Sequence, residues 1–359
     1  MTIKSMRFPS GATGWVINSA QLGRTLLTDP RFSADRAHAE SPLPGFTRAP
    51  AKPPNRGAFI TMDPPEHTRY RKLLTGQFSV PRMRQLEPRI EQIVDDRLES
   101  LAQQGKPADL VATFALPVPS LVICELLGVD YADRARFQSF AGTLFSTTVS
   151  PQDKNTARIG LVTYLQELVR QKRVTPDDAL ISGLTSELDD EELANIAVLL
   201  LVAGHETTAT MLGLGTFTLL RHPDQLAALR ADPDLIPGAV EELLRYLSII
   251  GVGILRVATE DITLGDAKIQ AGQTVVLAVP EANHTEDGLN VTRPHTPHLA
   301  FGHGIHACLG QQLARMEMRI GWRRLLERFP GLRLAVPADE VPLRTGMVMT
   351  GVQALPVTW

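Results

Sequence analysis

The 359-residue chain is poor in several things, and each scarcity narrows what it can be. It has two cysteines, Cys124 and Cys308, far apart in sequence, so no disulfide framework is expected and no oxidising compartment is called for. The opening stretch MTIKSMRFPSG lacks the apolar core of a signal peptide. The most apolar run, Ile196 to Ala203, is too short to span a bilayer and leads straight into Gly204-His205-Glu206. Net charge is small, at −3, giving no electrostatic reason to expect nucleic acid or a membrane as partner. Repeats, low-complexity tails and the strand–helix alternation of a doubly wound sheet are all missing. These exclusions leave a cytoplasmic globular enzyme as the expected class. Its length lets it bury roughly three quarters of its unfolded surface, enough to enclose a cofactor.

What is present is mostly helical pattern. Apolar periodicity predicts helices over about 66–79, 83–104, 118–127, 157–171, 237–247 and 309–328, with a shorter one from Ala132 to Ala141. The longest runs from Asp189 to Leu220, opened by a capping box of Asp189 and Glu192 and closed at His222-Pro223. If continuous it measures on the order of 48 Å. Its middle, IAVLLLVAG, is apolar on every face, as in a helix threading the centre of a globule. The stretch Ala37 to Pro65 reads as a long surface loop of the kind that forms lids. Strand-like segments cluster late, at Ile262–Leu264, Lys268–Ile269 and Thr274–Leu277, with several short ones after Leu332. The expected architecture is mainly α with a small separate β region, one domain over residues 1–359.

The segment FGHGIHACLG, Phe301 to Gly310, stands just before the last long helical run. A thiolate that binds heme iron needs few protons competing for its sulfur, and the amides of a Gly-rich loop and a following helix N-terminus supply that. Gly304 and Gly310 let backbone approach a flat macrocycle, and Phe301 can pack beside the sulfur. A lone intracellular cysteine is more often an inert buried side chain, which describes Cys124 in the apolar helix LVICELL. A zinc site of His303, His306 and Cys308 would crowd its ligands and lacks an obvious fourth. His205-Glu206 does not begin a zinc-protease helix, since Ala209 stands where the second histidine would be. Gly251 and Gly253 are a lone pair without a dinucleotide-binding context.

With these residues in view the chain resembles the cytochrome P-450 superfamily, in particular its soluble actinobacterial type. FGHGIHACLG is similar to the cysteine-loop signature, with Cys308 at the ligand position. Glu242-Leu243-Leu244-Arg245 resembles the family's E-x-x-R. Ala203-Gly204-His205-Glu206-Thr207-Thr208 is similar to the oxygen-activation segment of the central helix. Asp63 to Arg71, DPPEHTRYR, looks like the helix start that meets the heme propionates; Arg256 and Ala282-Asn283-His284 fall in register too. The resemblance implies heme b as cofactor, with Cys308 its axial iron ligand and with Ala203, Gly204, Phe301, Gly304 and Gly310 lining it. It implies His67, Arg71, Arg256 and His306 as propionate partners, and Glu242 with Arg245 as a buried structural pair. Taken singly, each of these cations reads as a solvated surface charge, and the pair as an exposed one. Gly204 would leave room for dioxygen, Thr207 would offer its hydroxyl, and Glu206 would connect that place to bulk protons. Without the resemblance, Thr207 reads as a helix threonine bonding back to the preceding turn.

Three departures from the family pattern stand out. The N-terminal part is short, the stretch between Asn283 and Leu289 lacks the aromatic, Pro and Arg that brace E-x-x-R, and Leu255 replaces the Pro that often precedes Arg256. The implied reaction is insertion of one oxygen atom from O2 into an apolar small molecule, by hydroxylation or epoxidation, in secondary metabolism or xenobiotic oxidation. The chain carries no flavin or iron–sulfur motif, so the electrons are expected from a ferredoxin and its ferredoxin reductase. They would dock around the Cys308 loop, with Arg69, Lys72, Arg82 and Arg84 as contacts. Substrate-lining residues are expected in 37–62, 137–172, Leu200–His205 and Ile249–Leu255. Peroxide-driven oxidation or phenol coupling, a non-catalytic heme-thiolate sensor or carrier, and a heme-free binding protein are the alternatives.

Overall fold

The computed structural model describes residues 3–8, 11–35, 56–133, 135–136, 139–140, 143, 149–251, 253–284, 288–294, 296–344 and 349–359. The chain opens on an antiparallel hairpin, β1 (Ile3–Arg7) and β2 (Thr13–Ile17), followed by α1 (Ala20–Thr28) and β3 (Phe32–Ser33). Next come α2 (Glu66–Thr75), α3 (Val80–Gln104), β4 (Ala108–Asp109), α4 (Pro117–Leu127), α5 (Pro151–Val174), α6 (Asp190–Arg221), α7 (Pro223–Ala231) and α8 (Ile236–Leu247). Four strands follow: β5 (Ile254–Ala258), β6 (Ile262–Leu264), β7 (Ala267–Ile269) and β8 (Thr274–Leu277). The short α9 (Val279–Asn283) leads to the Cys308 loop and α10 (Gln311–Arg328). The chain finishes with β9 (Arg333–Leu334), β10 (Leu343–Arg344), β11 (Gly351–Val352) and β12 (Pro356–Thr358).

The central helix is α6. The Asp189 carboxylate accepts the Glu192 amide at 2.9 Å and the Glu192 carboxylate accepts the Asp189 amide at 3.1 Å, so the expected capping box is formed. From Thr208 to Leu219 every residue is buried. Gly215 exists so that the Trp322 ring of α10 can lie against the helix backbone; a Cβ there would overlap it, and the indole N–H donates to Thr216 Oγ1 at 3.1 Å. By length and composition α6 is apolar enough to cross a membrane, but 67% of its apolar window is buried inside the protein, as in a core helix. The main core gathers α3, α4, α6 and α10 around it.

The β region is not confined to the late part of the chain. A five-stranded sheet runs β1-β2-β8-β5-β3, with β2 parallel to β8 and Trp15 opposite Val275. Its inner face joins Ile17, Leu26 and Leu27 to Val275, Leu277 and Leu299 in a second, smaller core. The hairpin and α1 escape a reading of local pattern because their strands are short and their burial depends on partners some 260 residues away. Helix boundaries shift for local reasons. The α5 helix starts at Pro151, six residues early, because the Ser150 hydroxyl accepts the Asp153 amide at 3.1 Å and a proline suits the first turn. The 66–79 pattern divides into α2 and a 3-10 turn at Gly76–Phe78. Part of the 132–141 segment, and residues 37–55 of the expected lid, lie outside the described residues.

Candidate functional site

Cys308 lies in the loop between α9 and α10, three residues ahead of the first residue of an 18-residue helix. Its amide donates to the Phe301 carbonyl at 2.8 Å and the Ala307 amide to the Gly304 carbonyl at 3.0 Å, which closes the loop on itself. Gly304 has φ 72°, and a Cβ there would overlap the Leu27 carbonyl at the end of α1, so no other residue fits. Burial pushes the Cys308 thiol up, while the Gly310 amide and the charges of Arg71 and Arg315 pull it down. The upward push wins. The loop therefore does not by itself supply the thiolate that the sequence suggested; a metal cation in the proton's place would, as it does for cysteine ligands generally.

A cluster of basic side chains adjoins the loop. His67 and Arg71 are four apart on α2 and share a face; the His67 and His306 rings stand 4.1 Å apart, centre to centre. Arg71 Nη2 donates to the Ala307 carbonyl at 2.7 Å, and Arg256 Nη1 to the Leu255 carbonyl at 2.8 Å. Both ring nitrogens of His67 and Nε2 of His306 are buried without a hydrogen-bond partner among the described residues. Burial, then Arg256 and His67 beside it, push His306 down to about 3, and burial and Arg71 push His67 down as well. Asp63, the carboxylate acting on both histidines, is bound to the Ser33 hydroxyl and to the Ala34 amide at 2.8 Å. Unsatisfied histidines among arginines are what an anionic ligand such as a pair of carboxylates would complete. The residues fit heme propionates.

A second network fixes α2 in place. Glu192, 2% exposed, accepts Arg69 Nη1 at 2.7 Å, the Tyr70 hydroxyl at 2.8 Å and Arg56 Nη2 at 3.1 Å. Burial pushes its carboxyl up, but bonds from Arg69, the Asp189 amide and Tyr70 outweigh this and hold it at about 2. A folded-state pKa below the unfolded one contributes stability at neutral pH that is lost as pH falls from the ordinary carboxylate value of about 4.3. Glu192→Gln is therefore expected to be less stable near neutrality, with its urea midpoint falling less between about pH 5 and pH 2 than that of wild type. Parallel declines would show that the network contributes nothing. Arg69 is thus held at the start of α6, and Arg82 donates to Gln85 and to the Asp178 carbonyl, while Lys72 and Arg84 remain exposed.

On α6, Val202 and Ala203 are exposed on an open face in the middle of a mostly buried helix. A Cβ at Gly204 would make an ordinary contact with Ile123 at 3.5 Å, so protein packing alone does not demand glycine there. The Thr207 hydroxyl donates to the Ala203 carbonyl at 2.7 Å, the back-bond of an ordinary helix threonine. It keeps its lone pairs for a donor on the open face. Glu206 is buried and ion-paired through Oε1 with Arg344 of β10, while Oε2 has no partner among the described residues. Arg344 lies 138 residues on, and only the fold brings it here.

Glu242 and Arg245 are a buried pair, not a surface one. Arg245 Nε and Nη2 donate to the two Glu242 oxygens at 2.7 and 2.8 Å, and Nη1 donates to the Asn283 carbonyl at 3.0 Å. The shortened segment put the third arm of this network in doubt, and the structure supplies one. Arg293 Nε donates to Glu242 Oε1 at 3.3 Å, joined by the Asn290 amide at 3.0 Å. The replacement comes from beyond Leu289, where the motif reading did not look.

The family model described as Cytochrome P450 matches residues 153–349. The chain is 46% identical to Cytochrome P450-SU2 of Streptomyces griseolus, over 97% of this chain and 88% of that protein. It is 47% identical to the pentalenic acid synthase of Streptomyces avermitilis, over 97% and 89%. Among solved structures it matches cytochrome P450 MoxA from Nonomuraea recticatena at 41% identity and a TM-score of 0.93, covering 100% of this chain and 92% of that one.

Proposed function

Because the chain belongs to the cytochrome P450 family and is a monooxygenase of its actinobacterial type, we propose that it binds heme b through Cys308 and hydroxylates or epoxidises an apolar small molecule of secondary metabolism. The observation that carries this reading is the Cys308 loop set beside a cluster of buried, unsatisfied histidines. Cys308 would supply the sulfur that holds the iron. His67, Arg71, Arg256 and His306 meet the propionates, and Phe301, Gly304 and Gly310 shape the loop against the ring. Bound there, heme supplies reductive activation of O2 and transfer of one oxygen atom to the substrate. Ala203 and Gly204 keep side-chain bulk off the open face of α6, and Val202 beside them gives that face its apolar character. Glu206, anchored by Arg344, connects that face to bulk protons, and Thr207 relays a proton through its hydroxyl, accepting one on a lone pair as it releases the one resting on the Ala203 carbonyl. Electrons come from a ferredoxin and its reductase, docking around the Cys308 loop in the cytoplasm. With Arg69 and Arg82 engaged internally, Lys72 and Arg84 are the contacts left from the original four.

The test is Thr207→Ala. It removes the hydroxyl but keeps the helix, since alanine is the better helix former by a few tenths of a kcal/mol, on the order of 0.5. With a ferredoxin system and NAD(P)H, electron consumption should continue while product per NAD(P)H falls several-fold and hydrogen peroxide rises. Thr208→Ala, whose side chain points about 100° away, should stay coupled. Full coupling in Thr207→Ala would remove the proton role. Turnover with peroxide but not with NAD(P)H and ferredoxin would replace the monooxygenase by a peroxide-driven oxidase.

A further inference from the structure

Helix α8 carries adjacent glutamates, and the E-x-x-R pair uses only the second. Glu241 is spent on the cysteine loop. Its Oε1 accepts Arg315 Nε at 2.7 Å and its Oε2 accepts Arg315 Nη2 at 2.9 Å, a two-point grip. His298 Nε2 meets the same Oε2 at 3.2 Å. Burial pushes the Glu241 carboxyl up, but the bonds from His298 and Arg315 outweigh it and hold it at about 2, so it is an anion at neutral pH.

The gripped guanidinium lies 4.5 Å above the centre of the Phe301 ring. The Phe301 carbonyl is the acceptor from which the Cys308 amide hangs, at 2.8 Å. From the other side, the Ala300 amide donates to His298 Nδ1 at 3.2 Å, which puts the ring proton on Nε2, facing Glu241. Arg315 sits on α10, seven residues beyond the cysteine, with its guanidinium stacked on the residue that holds the Cys308 amide. Helix α8, helix α10 and the loop are thus joined at a single carboxylate.

We propose that Glu241 and Arg315 form a charged clamp that positions the Phe301 segment and sets how much electron density the Cys308 sulfur gives to the iron. Both are positioning residues, and the inference rests on Cys308 being the axial ligand. A fixed cation near the sulfur favours the state with the extra electron, so its removal disfavours reduction. Neutralising the anion that balances the cation does the reverse. A merely structural clamp has no such antisymmetry: loosening it from either end opens the same loop and moves the iron the same way.

The experiment is a ferric/ferrous potential titration of purified holoenzyme, wild type against Arg315→Gln, Arg315→Lys and Glu241→Gln. Arg315→Gln should shift the equilibrium about tenfold toward ferric iron, some 59 mV downward for one electron. Glu241→Gln should shift it upward, and Arg315→Lys, which keeps the charge and loses the planar fork, should lie between wild type and Arg315→Gln. Shifts of the same sign in Arg315→Gln and Glu241→Gln, or changes below twofold, overturn the proposal. Should Arg315→Gln fail to retain heme, Glu241→Gln, which keeps its size and can still accept hydrogen bonds, decides by sign: no upward shift overturns it. Failure of the axial-ligand reading is distinguishable, because wild type itself would then lack the red-shifted ferrous–CO Soret band.

Discussion

Cys308→Ser is expected to fold with its loop intact and to lose the red-shifted Soret band of the ferrous–CO complex entirely. The loop is held by backbone bonds, Cys308 N–H to Phe301 and Ala307 N–H to Gly304, and by Gly304 packed on Leu27, none of which needs sulfur. A serine hydroxyl gives up its proton far less readily than a thiol, and it lacks the soft, polarisable donor that shifts the band. Cys124→Ser is the control. Cys124 is fully buried in α4, so its replacement places a hydroxyl in the core at a cost of about 1–3 kcal/mol, yet the spectrum should be unchanged. Retention of the band in Cys308→Ser, or its loss in Cys124→Ser, would move the iron ligand elsewhere.

Glu242→Ala and Arg245→Ala should each reduce the yield of folded, heme-loaded protein more than any surface substitution. Arg245 is 2% exposed and Glu242 4% exposed, so neither survivor can turn to water. Removing one partner of such a buried pair leaves an uncompensated charge and costs about 3–5 kcal/mol, a large share of a domain's typical 5–15 kcal/mol. Glu242→Ala also strands the Asn290 amide and Arg293, and should be the worse of the two. Arg293→Ala, which removes an outer arm at 3.3 Å, should cost less than either. Heme per polypeptide and thermal melting check the order. A Glu242→Ala protein with full heme and unchanged melting would mean that the pair braces nothing.

Much of the site was legible because its logic is local. Gly304, Cys308 and Gly310 sit within one loop, His67 and Arg71 within one turn of helix, Asp189 and Glu192 within one cap, Glu242 and Arg245 within one turn. Spacing places such residues together, and the family resemblance, not the spacing, implied that they are buried around a cofactor. What escaped the sequence is what only the fold joins: Arg344 to Glu206, Arg293 to Glu242, Arg69 to Glu192, and Arg315 stacked on Phe301. Arg69 is the instructive case. Its helix neighbours suggested a partner-facing surface, whereas a buried carboxylate 123 positions on had already claimed its charge. The hairpin at the start of the chain was missed for the same reason, since nothing near it in sequence says that Val275 will lie beside Trp15.

That parallel pairing also bears on how the chain is made. At about 5–20 residues per second, on the order of 10–50 s separates synthesis of Trp15 from synthesis of its partner strand. Through that interval Ile17, Leu26 and Leu27 have no β8 to cover them, and the outer edge of β2 has no neighbour. The hairpin and α1 are thus made well before the strand that covers them, and α1 carries the Leu27 carbonyl on which Gly304 later packs. Because Gly304 packs on the end of α1, a change that unpairs β2 from β8 should also loosen the cysteine loop, far from the substituted strand.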